Sequence, residues 1–256
     1  MFENFISQLP SYVISLPVIL LALSFHEMCH GYVALKLGDP TARNLGRLTL
    51  NPIKHLHPLG FLMMLFFHVG FANPVPINSR NFKKPRRDMA LSALAGPLSN
   101  VLLAIVSAII LRLLLLLCQQ TMVDDLYLIY TGILTGSAYR ISAIGTILSI
   151  LVYMSYLSVI INISYAVFNM LPIPPWDGSR VFYVFLPNKW YFGIMKYERI
   201  IMIGMFILLM TGFLDAPLQF ITNGISSGLF YLTGMDYSSE PFYFLHLILN
   251  HINSLL

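Results

Sequence analysis

Three long apolar runs, at residues 11–37, 89–118 and 141–169, dominate the chain and are separated by shorter stretches rich in proline and charge. Each is longer than the roughly 20 residues a helix needs to cross a bilayer. Gly38 follows the first run as a helix stop, Gly96-Pro97 interrupts the second, and Pro172, Pro174 and Pro175 end the third. A fourth run spans 197–214. Between the first two lies a polar, proline-rich, basic stretch, 38–88. Inside it, Gly60 to Val69 is apolar but too short to span, and Phe71 to Asn81 carries Pro74 and Pro76. That stretch reads as a re-entrant hairpin or an extended segment. Residues 119–140 form a loop with Asp124 and Asp125, and 216–256 hold a short apolar segment, 216–235, and an amphipathic one, 242–255. The pattern predicts an all-α polytopic membrane protein of about four to six transmembrane helices.

Composition agrees. Hydrophobic residues make up 57% of the 256 positions and charged residues 10%, where soluble domains carry about 25% charged. No basic cluster precedes the first apolar run and no small-residue cleavage pattern follows it, so that helix is expected to be retained. Cys29 and Cys118 fall in separate apolar runs and read as buried free thiols. The net charge of +4 does not indicate nucleic acid, because nearly all the basic residues flank the spans and no aromatic-basic recognition motif accompanies them. They cluster instead in 38–88 and between the third and fourth spans, at Arg180, Lys189, Lys196 and Arg199. The positive-inside rule places both loops in the cytoplasm, and a four-span count puts them on one side.

One motif lies where ionisable groups are costly. His26-Glu27-Met28-Cys29-His30 sits within the first span, and a titratable group at membrane depth is a functional hypothesis by default. On a helix, residues i and i+4 share a face, so both histidines can turn a ring nitrogen to one metal ion. Glu27 sits one step round, within reach of a water on that metal. His26 lies eleven residues before Leu37, about 16 Å along a helix. The site would then sit near the middle of the bilayer or in its cytoplasmic half. Catalytic zinc uses three protein ligands plus water, so a further His, Asp or Glu is needed at depth. Asp177, in Asn169-Met170-Leu171-Pro172-Ile173-Pro174-Pro175-Trp176-Asp177-Gly178, is the candidate. Its proline-broken backbone is tolerated at depth where it lines a cavity. The competing reading is that Asp177 caps a short helix.

These motifs, with Ala95-Gly96-Pro97-Leu98-Ser99-Asn100 between them, resemble the site-2 protease family of intramembrane zinc metalloproteases. Gly38-Asp39-Pro40-Thr41-Ala42-Arg43 and Asn73-Pro74-Val75-Pro76-Ile77-Asn78 resemble its compact prokaryotic branch without a PDZ domain. The resemblance covers roughly residues 10–215. It implies a metalloprotease core at 1–215 and a membrane-associated segment of unassigned role at 216–256. It implies one zinc ion on His26, His30 and Asp177, with Glu27 as catalytic acid and base. It also implies a transmembrane or membrane-associated protein substrate and residence in the cell membrane. Asn169 is similar to a family asparagine and is a candidate oxyanion donor, or else a helix-to-helix hydrogen bonder. Phe66 to Ile77 either pairs with an unwound substrate or is a headgroup loop. His55, His57 and His68 read as interfacial side chains, Gly96-Pro97 as a packing and kink site, and Asn100 and Asn162 as hydrogen bonders within the bundle. A homo-oligomer is compatible with the chain. Two alternatives stand beside the protease: a membrane metal-binding or transport protein, and a catalytically inactive scaffold.

Overall fold

The computed structural model describes residues 2–58, 60, 72–121, 125, 142–235, 245–249 and 252. Its helices are α1 (Phe2–Lys36), α2 (Thr41–Asn44), α3 (Pro85–Thr121), α4 (Ala143–Asn169), α5 (Asp177–Tyr183), α6 (Asn188–Lys196), α7 (Glu198–Met210) and α8 (Asp215–Leu232). Among the described residues there is no strand, only an isolated antiparallel bridge between Leu56 and Ala72. Tyr12–Lys36 of α1, α3 and α4 are each long and apolar enough to cross a membrane. The α7 and α8 helices add a fourth candidate span bent by 81°. The protein is therefore an all-α polytopic membrane protein with three or four candidate spans among the described residues.

Local chemistry sets the helix ends. Gly38 adopts φ +112, and Asp39 N–H then returns to Ala34 O at 2.9 Å, closing α1. Gly145 N–H donates to Ser142 Oγ at 3.0 Å, capping the start of α4. Asp125 in turn accepts from both the backbone N–H and the hydroxyl of Ser142. The α4 helix stops at Asn169, just before the prolines. One expectation changes: Gly96-Pro97 does not interrupt the second span, since α3 runs through Pro97 for 37 residues. Neighbouring helices and side chains make an internal proline tolerable in a membrane helix. The apolar run 197–214 also differs, because α7 ends at Met210 and a turn with Gly212 at φ +70 precedes α8. Most of the Gly60 to Val69 run and of the loop 119–140 lies outside the described residues, as does most of 242–255.

The chain divides into two compact units. One comprises Met1–Ile19, Leu103–Ile161 and Gly224–Leu256. Its core packs Leu111 and Leu115 of α3 and Val152 and Val159 of α4 with Phe230, Met235, Leu245 and Ile248, and Tyr156 stacks on Phe230. The other comprises Leu20–Leu102 and Asn162–Asn223. It holds every titratable residue singled out from the motifs, along with the extended stretch 73–78.

Candidate metal centre

His26 and His30 lie one turn apart on α1 and are both buried. The outer nitrogen of each ring is already occupied. His30 Nδ1 lies 2.7 Å from the Ser92 carbonyl oxygen, which can only accept. Nδ1 therefore carries the proton, and Nε2 presents a lone pair. His26 Nδ1 lies 2.6 Å from Asn100 Oδ1, and Asn100 Nδ2 donates to Asn162 Oδ1 at 2.8 Å. Asn100 Nδ2 also reaches the Ala22 carbonyl oxygen at 3.4 Å, which can only accept and so sets the direction of the Asn100 amide; His26 Nδ1 is therefore also the donor, and its Nε2 is bare in the neutral ring.

The two bare nitrogens face each other at 2.9 Å. Asp177 Oδ2 lies 3.1 Å from one and 3.2 Å from the other, is itself buried, and has no hydrogen-bond partner. With both rings neutral, three electron-pair donors thus converge with no proton among them. Such a cluster is repulsive unless a cation sits within it. Bonds of about 2.0–2.1 Å in a tetrahedron give ligand-to-ligand edges of about 3.3–3.4 Å, close to the spacings found. Two imidazoles and a carboxylate, with outer hydrogen bonds on both rings, suit zinc.

Backbone geometry brings these groups together. Gly96 of α3 lies against the histidines: a Cβ there would come 2.6 Å from His26 Cε1 and closer still to the His30 ring. The prolines after α4 turn the chain back, and Trp176, buried edge-on against Phe168, takes the cap position of α5. A Cβ on Gly178 would collide with the Met170 backbone. Asp177 is thereby the first residue of α5 rather than its cap, with its carboxylate turned to the histidines.

Glu27 is buried beside them, and its Oε2 accepts from the Val75 backbone N–H at 2.8 Å. The four groups line a cavity of about 580 Å³, with Val75 and Asn169 among its walls. Asn169 Nδ2 donates back to Tyr165 O at 3.0 Å. Toward α6 the cavity reaches Arg86, whose guanidinium lies 4.1 Å over the Tyr191 ring, and Arg180, which pairs with Glu198 at 2.5 Å. His55 and His57 do not line it: His55 Nε2 donates to Thr49 O and His57 Nδ1 accepts from Gly60 N–H. His68 lies outside the described residues. Sequence reasoning read Asn100 as a hydrogen bonder within the bundle, not as a partner of His26, and read Gly96 as a packing position. The available signal was their own i, i+4 spacing, which puts both on one face of α3.

Residues 14–212 match peptidase family M50. Two relatives are named as candidate zinc metalloproteases. YwhC of Bacillus subtilis is 37% identical over 176 residues, covering 69% of each chain. Rip2 of Mycolicibacterium smegmatis is 33% identical over 91 residues, 34% of this chain and 35% of that protein. No solved structure matches. The matched stretch includes His26, Glu27, His30 and Asp177 together with the three uninterrupted candidate spans almost entire. The chain thus belongs to peptidase family M50, the site-2 protease family, and is a membrane-embedded zinc metalloendopeptidase.

Proposed function

We propose that the enzyme hydrolyses peptide bonds of transmembrane or membrane-associated proteins within the bilayer, with His26, His30 and Asp177 holding its single zinc ion and Glu27 moving the proton. The observation that carries this reading is the convergence of two bare imidazole nitrogens and an unpartnered carboxylate oxygen beside a fourth group free of that cluster. Bound there, zinc supplies a Lewis acid for the scissile carbonyl and a lowered pKa, near about 7, for water.

The chain's own residues do the rest. Asn100 and the Ser92 carbonyl hold the imidazoles in the tautomer that leaves Nε2 bare. The Val75 N–H occupies Glu27 Oε2 and so leaves Oε1 to take the proton of the attacking water. Glu27 then passes that proton to the departing amine nitrogen as the C–N bond breaks. Asn169 Nδ2 has two N–H groups; one is committed to Tyr165 O, and the other donates to the carbonyl oxygen as charge develops there. The basic stretches 38–88 and 170–196 face the cytoplasm of the cell membrane and supply the water path.

A metal-transport reading would call for further ligand clusters along the bundle. Among the described residues, His26, His30 and Asp177 form the one such group. The test is proteolysis of a model transmembrane substrate by the full chain in proteoliposomes, with zinc measured in parallel. Glu27→Gln should keep its zinc and lose activity by at least about a hundredfold. Near-normal cleavage by that variant would overturn the mechanism.

A further inference from the structure

Asp39 lies twelve residues after Glu27, just past the end of α1. The left-handed Gly38 turn aims it inward, and it is 0% exposed. A buried carboxylate is costly unless its lone pairs are satisfied. Oδ1 accepts from Thr41 N–H at 3.1 Å, Thr41 Oγ1 at 2.5 Å and Asn81 Nδ2 at 2.7 Å, and Oδ2 accepts from Asn78 N–H at 2.7 Å. Burial alone would raise its pKa; the hydrogen bonds from Thr41, Asn81 and Asn78 outweigh that and hold the carboxyl below the ordinary carboxylate range.

Two of those four donors belong to Asn78 and Asn81, at the end of the extended stretch that passes the metal centre. The other end is tied by Asn73 N–H to His55 O at 2.8 Å and by Arg47 Nη2 to Asn73 O at 2.7 Å. Between the ties, Val75 N–H reaches Glu27 Oε2. Pro74 and Pro76 flank Val75 and fix φ on either side, so the stretch is stiff. A shift at Asn78 must then be felt at Val75, three residues away. Asp39 itself touches neither the histidines nor Asp177 and does not line the cavity.

We propose that Asp39 is a positioning residue for proteolysis: by anchoring Asn78 and Asn81 it fixes the extended stretch, so that the Val75 N–H holds the Glu27 carboxylate in its working orientation. The inference rests on the reading of Glu27 as the proton carrier. Thr41 N–H faces Oδ1 and Asn78 N–H faces Oδ2, and a backbone N–H can only donate, so a side chain that accepts at both atoms is required. Asn, although the same shape, would point N–H groups at N–H groups.

The experiment uses the full chain in nanodiscs with a model transmembrane substrate. Asp39→Asn should lower kcat by about tenfold, the scale of losing hydrogen bonds to a charged group, while KM changes less than about twofold. Zinc per chain should stay at the wild-type level, which counts intact sites. Amide exchange should quicken across 73–81 and stay unchanged across the helix around His26 and His30. A double-mutant cycle separates positioning from general unfolding, which would lower activity in both backgrounds: Asp39→Asn should leave the residual activity of Glu27→Gln unchanged. Equal losses in both backgrounds, zinc lost together with activity, or wild-type kcat in Asp39→Asn would each overturn the proposal. Should Asp39→Asn fail to fold, Asn81→Ala keeps the carboxylate and removes one donor. It should show the same pattern at about threefold, and a wild-type kcat there counts against the proposal. An inactive Glu27→Gln beside a fully active Asp39→Asn would remove this inference alone. An active Glu27→Gln would remove the underlying reading.

Discussion

Gly96 sets two effects of a single methyl group against each other. Replacing glycine by alanine inside a helix stabilises the helix by about 1 kcal/mol. At this position the added Cβ would press on both imidazoles. Gly96→Ala should therefore keep or raise helicity by circular dichroism, yet bind zinc at least about tenfold more weakly, the scale seen when the support of a ligating histidine is disturbed. Wild-type zinc affinity in this variant would show that the rings have room to retreat. The placement of the histidine pair was legible in the sequence because one helix alone fixes its shared face, and that of Glu27 because it stands one step round from His26. Asp177 was legible only as a choice between ligand and cap, since a proline-broken stretch carries no periodicity from which to read direction. Gly96 and Asn100 were not legible as parts of the centre. Their meaning depends on how α3 lies against α1, and spacing within one helix says nothing of the neighbour it meets.

Among the elements, the extended stretch 73–78 joins the largest number of functions to the fewest residues. It supplies a cavity wall, the hydrogen bond on Glu27 and one of the ties to Asp39. Its prolines made a non-helical segment readable from sequence, but its place beside Glu27 was not, because a long-range N–H to carboxylate contact leaves no local trace. If the stretch also receives the substrate, a photo-crosslinker at Val75 should capture substrate near its cleavage site. Substitutions at Ile77 should slow cleavage of a stable helix more than cleavage of one loosened by glycine, with zinc content unchanged. Crosslinks confined to lipid or to the enzyme itself would assign substrate capture elsewhere. Both ends of α3 and α4 and the end of α1 were read from sequence to within four residues, since apolar length is a strong signal, while α1 begins nine residues before its apolar run. The break between α7 and α8 was read at 214 although α7 ends at Met210, because one glycine in an apolar run is a weak signal.

For the whole molecule, α3 provides the topological test. Its 37 residues extend about 55 Å, well beyond a hydrocarbon core of about 30 Å. Lys84 immediately precedes it and Asp125 follows it. Cysteines placed at these two positions, in a chain lacking Cys29 and Cys118, should react with impermeant reagents from opposite sides, with Lys84 cytoplasmic. Labelling from a single side would break the proposed orientation. The cavity carries a different consequence. A helix about 10 Å wide fills roughly 400 Å³ per turn, so about 580 Å³ admits little more than one turn's worth of chain. If the substrate crosses the bilayer, as proposed, it must leave most of its length outside, and only the fraction of molecules already opened at the right place would enter. The apparent specificity constant is then scaled by that fraction. Across a substrate series with one cleavage sequence, kcat/KM should fall about tenfold for every 1.4 kcal/mol by which the helix resists opening. The enzyme would in effect read out the local stability of membrane helices, choosing its targets by how readily they come undone.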